Sequence, residues 1–152
     1  MNQLNEQKVL SFQNLIAPTL EILDGQINYQ IEQKNSDFFK RMGEILAEFY
    51  NKKLGEKQQD LFFFKEFGVY KDSLTIVSIN GYNPHFFTFS SGKIYEDIED
   101  VSMENLLRLL EFFCKYSKSS IKVEILFDSS QENDIQAILY ALNKILRKSI
   151  RR

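Results

Sequence analysis

The chain has 152 residues, 43% of them apolar, which is enough for one domain with a sizeable core. Lys and Arg number 19 against 21 Asp and Glu, so a formal net charge of −2 excludes a global pull toward nucleic acid or anionic membrane. A single cysteine, Cys114, excludes an intrachain disulfide, and no apolar run approaches the ~20 residues of a bilayer span.

The N-terminal segment MNQLNEQKVL lacks a basic region followed by an apolar one, so no signal peptide is expected. A cytoplasmic protein is expected. Within residues 3–34, Val9, Phe12, Ile16, Leu20, Leu23, Ile27 and Ile31 recur at three- and four-residue steps. That spacing draws one apolar stripe along a helix. Pro18 interrupts the stripe, removing a backbone donor and crowding the carbonyl four residues back. A break is predicted there, with Pro18 in the first turn of a second helix.

Asn35, Ser36 and Asp37 offer N-caps for the clearest helix in the chain. Its apolar face is Phe38, Phe39, Met42, Ile45, Leu46, Phe49 and Tyr50. Lys52 and Lys53 in its last turn complement the helix dipole.

The stretch from Phe62 to Asp97 then changes character. β-Branched and aromatic runs alternate with Lys71-Asp72, Gly81-Tyr82-Asn83-Pro84 and Ser91-Gly92, all turn formers. An antiparallel meander is predicted. Leu74, Ile76, Val77 and Ile79 make one strand apolar on both faces, which suggests a central strand covered on both sides. His85, Phe87 and Phe89 share one side of the next strand. Lys93–Asp97 resembles a charged edge strand.

Ser102 is placed to cap a helix with Leu106, Leu107, Leu109, Leu110, Phe113 and Cys114 on its apolar face. Ile121, Val123, Ile125 and Phe127 alternate with charged residues, a strand signal. Ser129 with Glu132 fits a capping box for a last helix carrying Ile135, Ile138, Leu139, Leu142, Ile145 and Leu146. The predicted class is α+β in one domain, residues 1–152. It has a mainly antiparallel sheet of four to five strands, flanked by N-terminal helices and a C-terminal α-β-α segment.

Chemistry is sparse. No cysteine–histidine spacing, EF-hand periodicity or glycine-rich phosphate loop occurs, so no metal or cofactor is expected. His85, the sole histidine, is the one candidate general base, and Cys114 or a serine the one candidate partner for it. Lys115, Lys118 and Lys122 form one basic cluster and Arg147–Arg152 another. Binding of nucleic acid would need both on one face, so none is expected.

The most distinctive polar feature is Glu96, Asp97, Glu99 and Asp100, ahead of a helix start. Such acids favour a helix N-terminus. They also suit docking of a basic protein surface, with Tyr82 and Phe86 as aromatic anchors. In element order the chain resembles small acidic α+β proteins that act by binding, such as immunity proteins against bacterial toxins and secretion chaperones. That resemblance implies a non-enzymatic protein-binding module, most sharply an immunity-type protein occluding a basic surface of a toxin or effector. A secretion chaperone or adaptor, or a small enzyme or ligand-binding domain using His85, is the alternative. Self-association into a homodimer is a further expectation.

Overall fold

The computed structural model describes residues 6–25, 38–56, 61–82, 84–92 and 103–151, with side chains from Asn14 onward. Among these residues, α1 (Glu6–Ile22) and α2 (Phe38–Leu54) precede β1 (Phe63–Tyr70), β2 (Ser73–Asn80) and β3 (Phe87–Ser90). Next come α3 (Met103–Ser117), β4 (Ser120–Phe127) and α4 (Gln131–Arg151). The class is α+β, as predicted. The expected caps Asn35–Asp37 and Ser102, and the expected edge strand Lys93–Asp97, lie outside the described residues.

The four described strands form one sheet in the order β1-β2-β4-β3. β1 and β2 are the predicted antiparallel hairpin, turning at Lys71 and Asp72. β2 then pairs antiparallel with β4, and β3 pairs parallel with β4. The sheet is therefore mixed rather than mainly antiparallel, with four strands. Parallel neighbours need a long crossover, and the connection carrying α3 supplies it.

The pairing register sorts the side chains into two faces. Phe64, Glu66, Gly68 and Tyr70 lie beside Ile79, Val77, Thr75 and Ser73. Ile121, Val123 and Ile125 continue that face on β4, and Phe87 and Phe89 on β3. This inner face is covered by helices. α4 lies over β1 and β2, α3 approaches β3 and β4, and α2 packs chiefly on α3. Val77, Ile79 and Val123 are wholly buried there, with Ile138, Ala141 and Ile145 of α4 above the sheet. Burying such side chains contributes roughly 1.5–3 kcal/mol each.

The outer face has no described helix against it. Leu74 and Ile76 of β2 are half-buried, and Phe63, Phe67 and Val69 of β1 are exposed. The expectation that β2 is covered on both sides is thus corrected: it is central, but one-sided. Phe127 is a second correction. Its alternation with Ile121, Val123 and Ile125 predicts an inner residue. A register shift places Phe127 opposite Leu74 while Ile125 stays opposite Thr75. The extra residue reverses the alternation, as a bulge does, and Phe127 emerges on the outer face, 66% exposed.

Pro18 does not divide α1, which runs unbroken from Glu6 to Ile22. Ala17 and Pro18 are exposed, so water can serve the carbonyl that loses its intrahelical donor. The helix stops instead at Asp24, whose φ of 52° is left-handed. The Gly25 amide there reaches back to the Leu20 carbonyl at 2.9 Å, a Schellman closure. Ile16, Leu20 and Leu23 are buried, as their spacing predicts.

α2 is buried on more than one side. Phe38, Phe39, Met42, Ile45, Leu46 and Tyr50 are core, while Phe49 is half-buried. Gly43 lets the α2 and α3 backbones meet, since a Cβ there would lie 2.4 Å from the Leu109 carbonyl oxygen. The Tyr50 hydroxyl donates to Ser149 Oγ at 2.9 Å, and Ser149 Oγ donates to the Leu146 carbonyl at 3.1 Å. This relay fastens α2 to the end of α4. Tyr50→Phe is expected to cost about 1 kcal/mol, the net contribution of one such bond. A thermal melt should show it as a fall of about 2–4 °C at this chain length.

Candidate functional site

The two ends of the sheet differ in chemistry. At one end lie the carboxyl ends of β3 and β4, the β1–β2 turn, and the first turn of α4. In sheets with helical crossovers, strand carboxyl ends are where helix N-termini gather and ligands bind.

Hydrogen bonds knit this end together. Ser130, not Ser129, caps α4, accepting from the Asn133 amide at 3.1 Å. Asp134, not Glu132, reaches back, accepting from the Ser129 amide at 2.8 Å. The predicted capping box is therefore displaced. Asp134 is fully buried and also accepts from Ser73 Oγ at 2.7 Å, which ties α4 to the start of β2. Asn133 Nδ2 donates to Ser129 Oγ at 3.0 Å, and Ser129 Oγ donates to Asp72. The N-terminus of α3 reaches the same place, because its Met103 amide donates to Gln131 Oε1.

The Ser129 hydroxyl is the main cause that holds the Asp72 carboxyl below the usual carboxylate range, and the Asp72 backbone amide adds to it. Asp72 is exposed and charged at neutral pH. The arrangement presents a fixed carboxylate, two serine hydroxyls and an amide side chain beside two helix N-termini. Those groups suit a small polar ligand with hydroxyls for the carboxylate, while Glu104, Glu132 and Asp134 already complement the helix ends from their first turns.

The opposite end holds Tyr82, His85 and Phe86. Tyr82 is 49% exposed and Phe86 56%. The Tyr82 amide bonds Asn80 Oδ1 at 3.0 Å, and the Ile121 amide bonds the Phe86 carbonyl at 3.3 Å. These two aromatics thus sit near the start of β4, away from the Asp72 end. Glu96, Asp97, Glu99 and Asp100, the acidic part of the expected docking surface, lie outside the described residues.

His85 is half-buried. The hydroxyl of Ser120 is engaged on either side of it, donating to the Pro84 carbonyl at 3.2 Å and accepting from the Phe86 amide at 3.1 Å. Cys114 is buried in α3, and desolvation pushes its thiol up to about 12, so it keeps its proton at neutral pH. A thiol held protonated in this way is a poor nucleophile. Among the described residues, no group of three or more His, Cys, Asp and Glu gathers as metal ligands would.

The basic clusters separate. Lys115 lies against Phe112 and Tyr116, whose rings stack at 6.5 Å with Lys40 and Arg108 also over Phe112. Lys122 is on the outer sheet face, 3.1 Å from Glu124, and Lys148 pairs with Glu66 at 2.7 Å. Among the described residues, no helix is long and apolar enough to cross a membrane.

Sequence reasoning reads Asp72 as a turn residue and Ser129 as a cap, and passes over Asn133. The signal that joins them is the pairing of β2 with β4, which brings positions 57 residues apart into contact.

No protein-family model and no curated protein matches the chain. Solved structures do. Imidazoleglycerol-phosphate dehydratase from Staphylococcus aureus superposes with a TM-score of 0.74 at 8% identity, over 99% of this chain and 87% of that one. The enzyme abbreviated IGPD from Pyrococcus furiosus, in complex with (S)-C348, superposes with a TM-score of 0.68 at 14% identity, over 91% of this chain and 77% of that one. At these identities the likeness is one of fold.

That fold corrects the functional expectation. The solved structures it resembles are of a dehydratase, an enzyme, and they give no support to the immunity protein or toxin inhibitor expected from the sequence. The expectation of a non-enzymatic module is overturned with it. The error lay in element order, which leaves strand order open. The parallel β3–β4 pair is invisible in a list of helices and strands.

Proposed function

We propose that this chain is an enzyme that acts on a small hydroxylated substrate at the carboxyl ends of β3 and β4. The observation that carries the reading is the fold likeness to a dehydratase along 99% of the chain. The Asp72, Ser129 and Asn133 cluster beside the α3 and α4 N-termini supports the location. In this reading Asp72 accepts a hydrogen bond from a substrate hydroxyl. A dehydration takes a proton from one carbon and a hydroxide from its neighbour. The products are a double bond, or its keto tautomer, and water. A carboxylate held as acidic as Asp72 is a weak proton acceptor, so its part is to orient the substrate.

Imidazoleglycerol phosphate and simpler phosphorylated vicinal diols are the probes. Calorimetry should show saturable binding, and mass spectrometry the loss of water from the turned-over species. Asp72→Asn is expected to lower kcat/KM roughly tenfold to a hundredfold, the loss of one or two charge-assisted bonds. Ser129→Ala should follow in the same direction. Folded protein that neither binds nor dehydrates any of these compounds would sink the proposal.

A further inference from the structure

The outer face of the sheet is the largest apolar feature left over. Phe63, Phe67 and Val69 on β1 are 57%, 52% and 58% exposed, and Phe127 on β4 is 66% exposed. The register sets Val69 beside Leu74 and Leu74 beside Phe127, with Phe67 beside Ile76 in the next row. Phe67, Val69, Leu74, Ile76 and Phe127 form one continuous apolar area around the hairpin end of the sheet, and Phe63 lies at the far end of β1. A fully covered aromatic side chain buries about 150–250 Å². The half-exposed side chains at that end therefore offer roughly 300 Å², the scale of the largest apolar patch on a typical monomer, which is often functional.

We propose that two copies of this chain associate through these open sheet faces. Size supports it. Three strands of eight residues and one of four, at about 3.3 Å per residue and about 4.8 Å apart, cover roughly 440 Å². With side-chain relief, that footprint approaches the lower end of a standard interface, about 600 Å² per partner. Charge supports a like partner over an oppositely charged one. The face carries Lys65, Lys122 and Glu124, and Lys122 is paired with Glu124. It is therefore close to neutral, and two copies repel little. Packing precedent supports it as well, because sheets stack about 10 Å apart with strands within about 30°, and a two-fold axis in that plane makes the contact self-complementary.

Edge-to-edge pairing through β1 is the competing mode, and the structure opposes it. Lys144 of α4 donates to the Phe67 carbonyl at 3.1 Å, occupying an acceptor that an added strand needs. Lys65, exposed in mid-strand, adds a charge there, a common guard of strand edges.

Sedimentation velocity of the parent chain tests this directly. Interfaces of this size span μM to pM affinities, so a dimer is expected at roughly 100 μM protein. The Phe67→Lys/Phe127→Lys double variant, with a far-ultraviolet spectrum like the parent's, should sediment as a monomer. A parent that stays monomeric overturns the proposal, as would result if a different protein covers the face. So does a folded variant that remains dimeric. If the double variant fails to fold, Ser78→Cys gives an independent reading, because Ser78 lies mid-face on β2 and Cys114 is buried. Maleimide labelling of the introduced thiol should slow at least about tenfold between dilute and roughly 100 μM protein. Equal labelling rates at the two concentrations overturn the proposal.

Discussion

Gly68→Ala is expected to destabilise the chain by about 3 kcal/mol or more. Gly68 lies on the inner face of β1, directly beneath α4. A Cβ at this position would sit 1.9 Å from the Ala137 carbonyl oxygen, 2.9 Å from the Ala137 carbonyl carbon and 3.0 Å from Ala141 Cβ. Two of those three atoms are backbone, so no rotamer change relieves the clash. Either β1 must bend out of its hairpin or α4 must lift from the sheet. Lifting α4 loosens Ile135, Ile138 and Leu142 from the core, and close-packed interiors resist shifts of that size. Overpacking costs typically 1–3 kcal/mol, and a clash with a fixed carbonyl belongs at or beyond the top of that range. The midpoint of thermal unfolding should fall by about 6–12 °C. Gly92→Ala is the control, because nothing lies within 4 Å of a Cβ there. Its effect should stay within about ±0.5 kcal/mol. A Gly68→Ala midpoint equally unmoved would mean that α4 does not rest on β1 as closely as described.

Much of the fold is written in local pattern. The stripes through Phe38–Tyr50 and Ile135–Leu146 identify helices, because apolar positions at 3.6-residue spacing have one way to be buried together. Lys71-Asp72 between two β-rich runs identifies the hairpin. What local pattern leaves out is neighbourhood. A period of two tells which residues share a face and not which strand lies alongside. Hence β3, joined to β2 by the short segment around Gly81–Phe86, reads as the next strand of a meander. In the fold β4 takes that place, and Phe87 sits beside Ile121. Leu74 and Ile76 mislead for a related reason. An apolar residue on each face suggests cover on both sides, whereas no described helix lies against the outer face.

The candidate site is less legible than the fold. Asp72, Ser129 and Asn133 are ordinary turn and cap residues when read singly, and their residue types are expected at such positions. Long-range pairing joins them, through Leu74 beside Phe127 and Ser73 bonded to Asp134. The acidic run from Glu96 to Asp100 attracts attention because its members are adjacent in the chain. The Asp72 cluster escapes it because its members are adjacent in space.

Asp134→Ala is the second large effect expected, at about 2–4 kcal/mol. The carboxylate is wholly buried in the first turn of α4, where the helix dipole favours negative charge. Its Oδ1 accepts from the Ser73 hydroxyl at 2.7 Å and from the Ser129 amide at 2.8 Å. Ser73 is itself 1% exposed, so truncating Asp134 removes that acceptor from a hydroxyl without giving it water. Each such loss costs roughly 1–3 kcal/mol. Asp134→Asn should cost less, because an amide oxygen can replace Oδ1 while the charge is lost. A double-mutant cycle of Ser73→Ala with Asp134→Ala, followed by denaturant unfolding, isolates the bond between them. Residues in direct contact within one network couple by roughly 0.5–3 kcal/mol. Here Ser73→Ala should be nearly silent in the Asp134→Ala background, since the hydroxyl has already lost its acceptor. Additive effects would mean that Asp134 holds the end of α4 without Ser73. The tie between the β1–β2 turn and that helix would then rest on Ser129 and Asp72 alone.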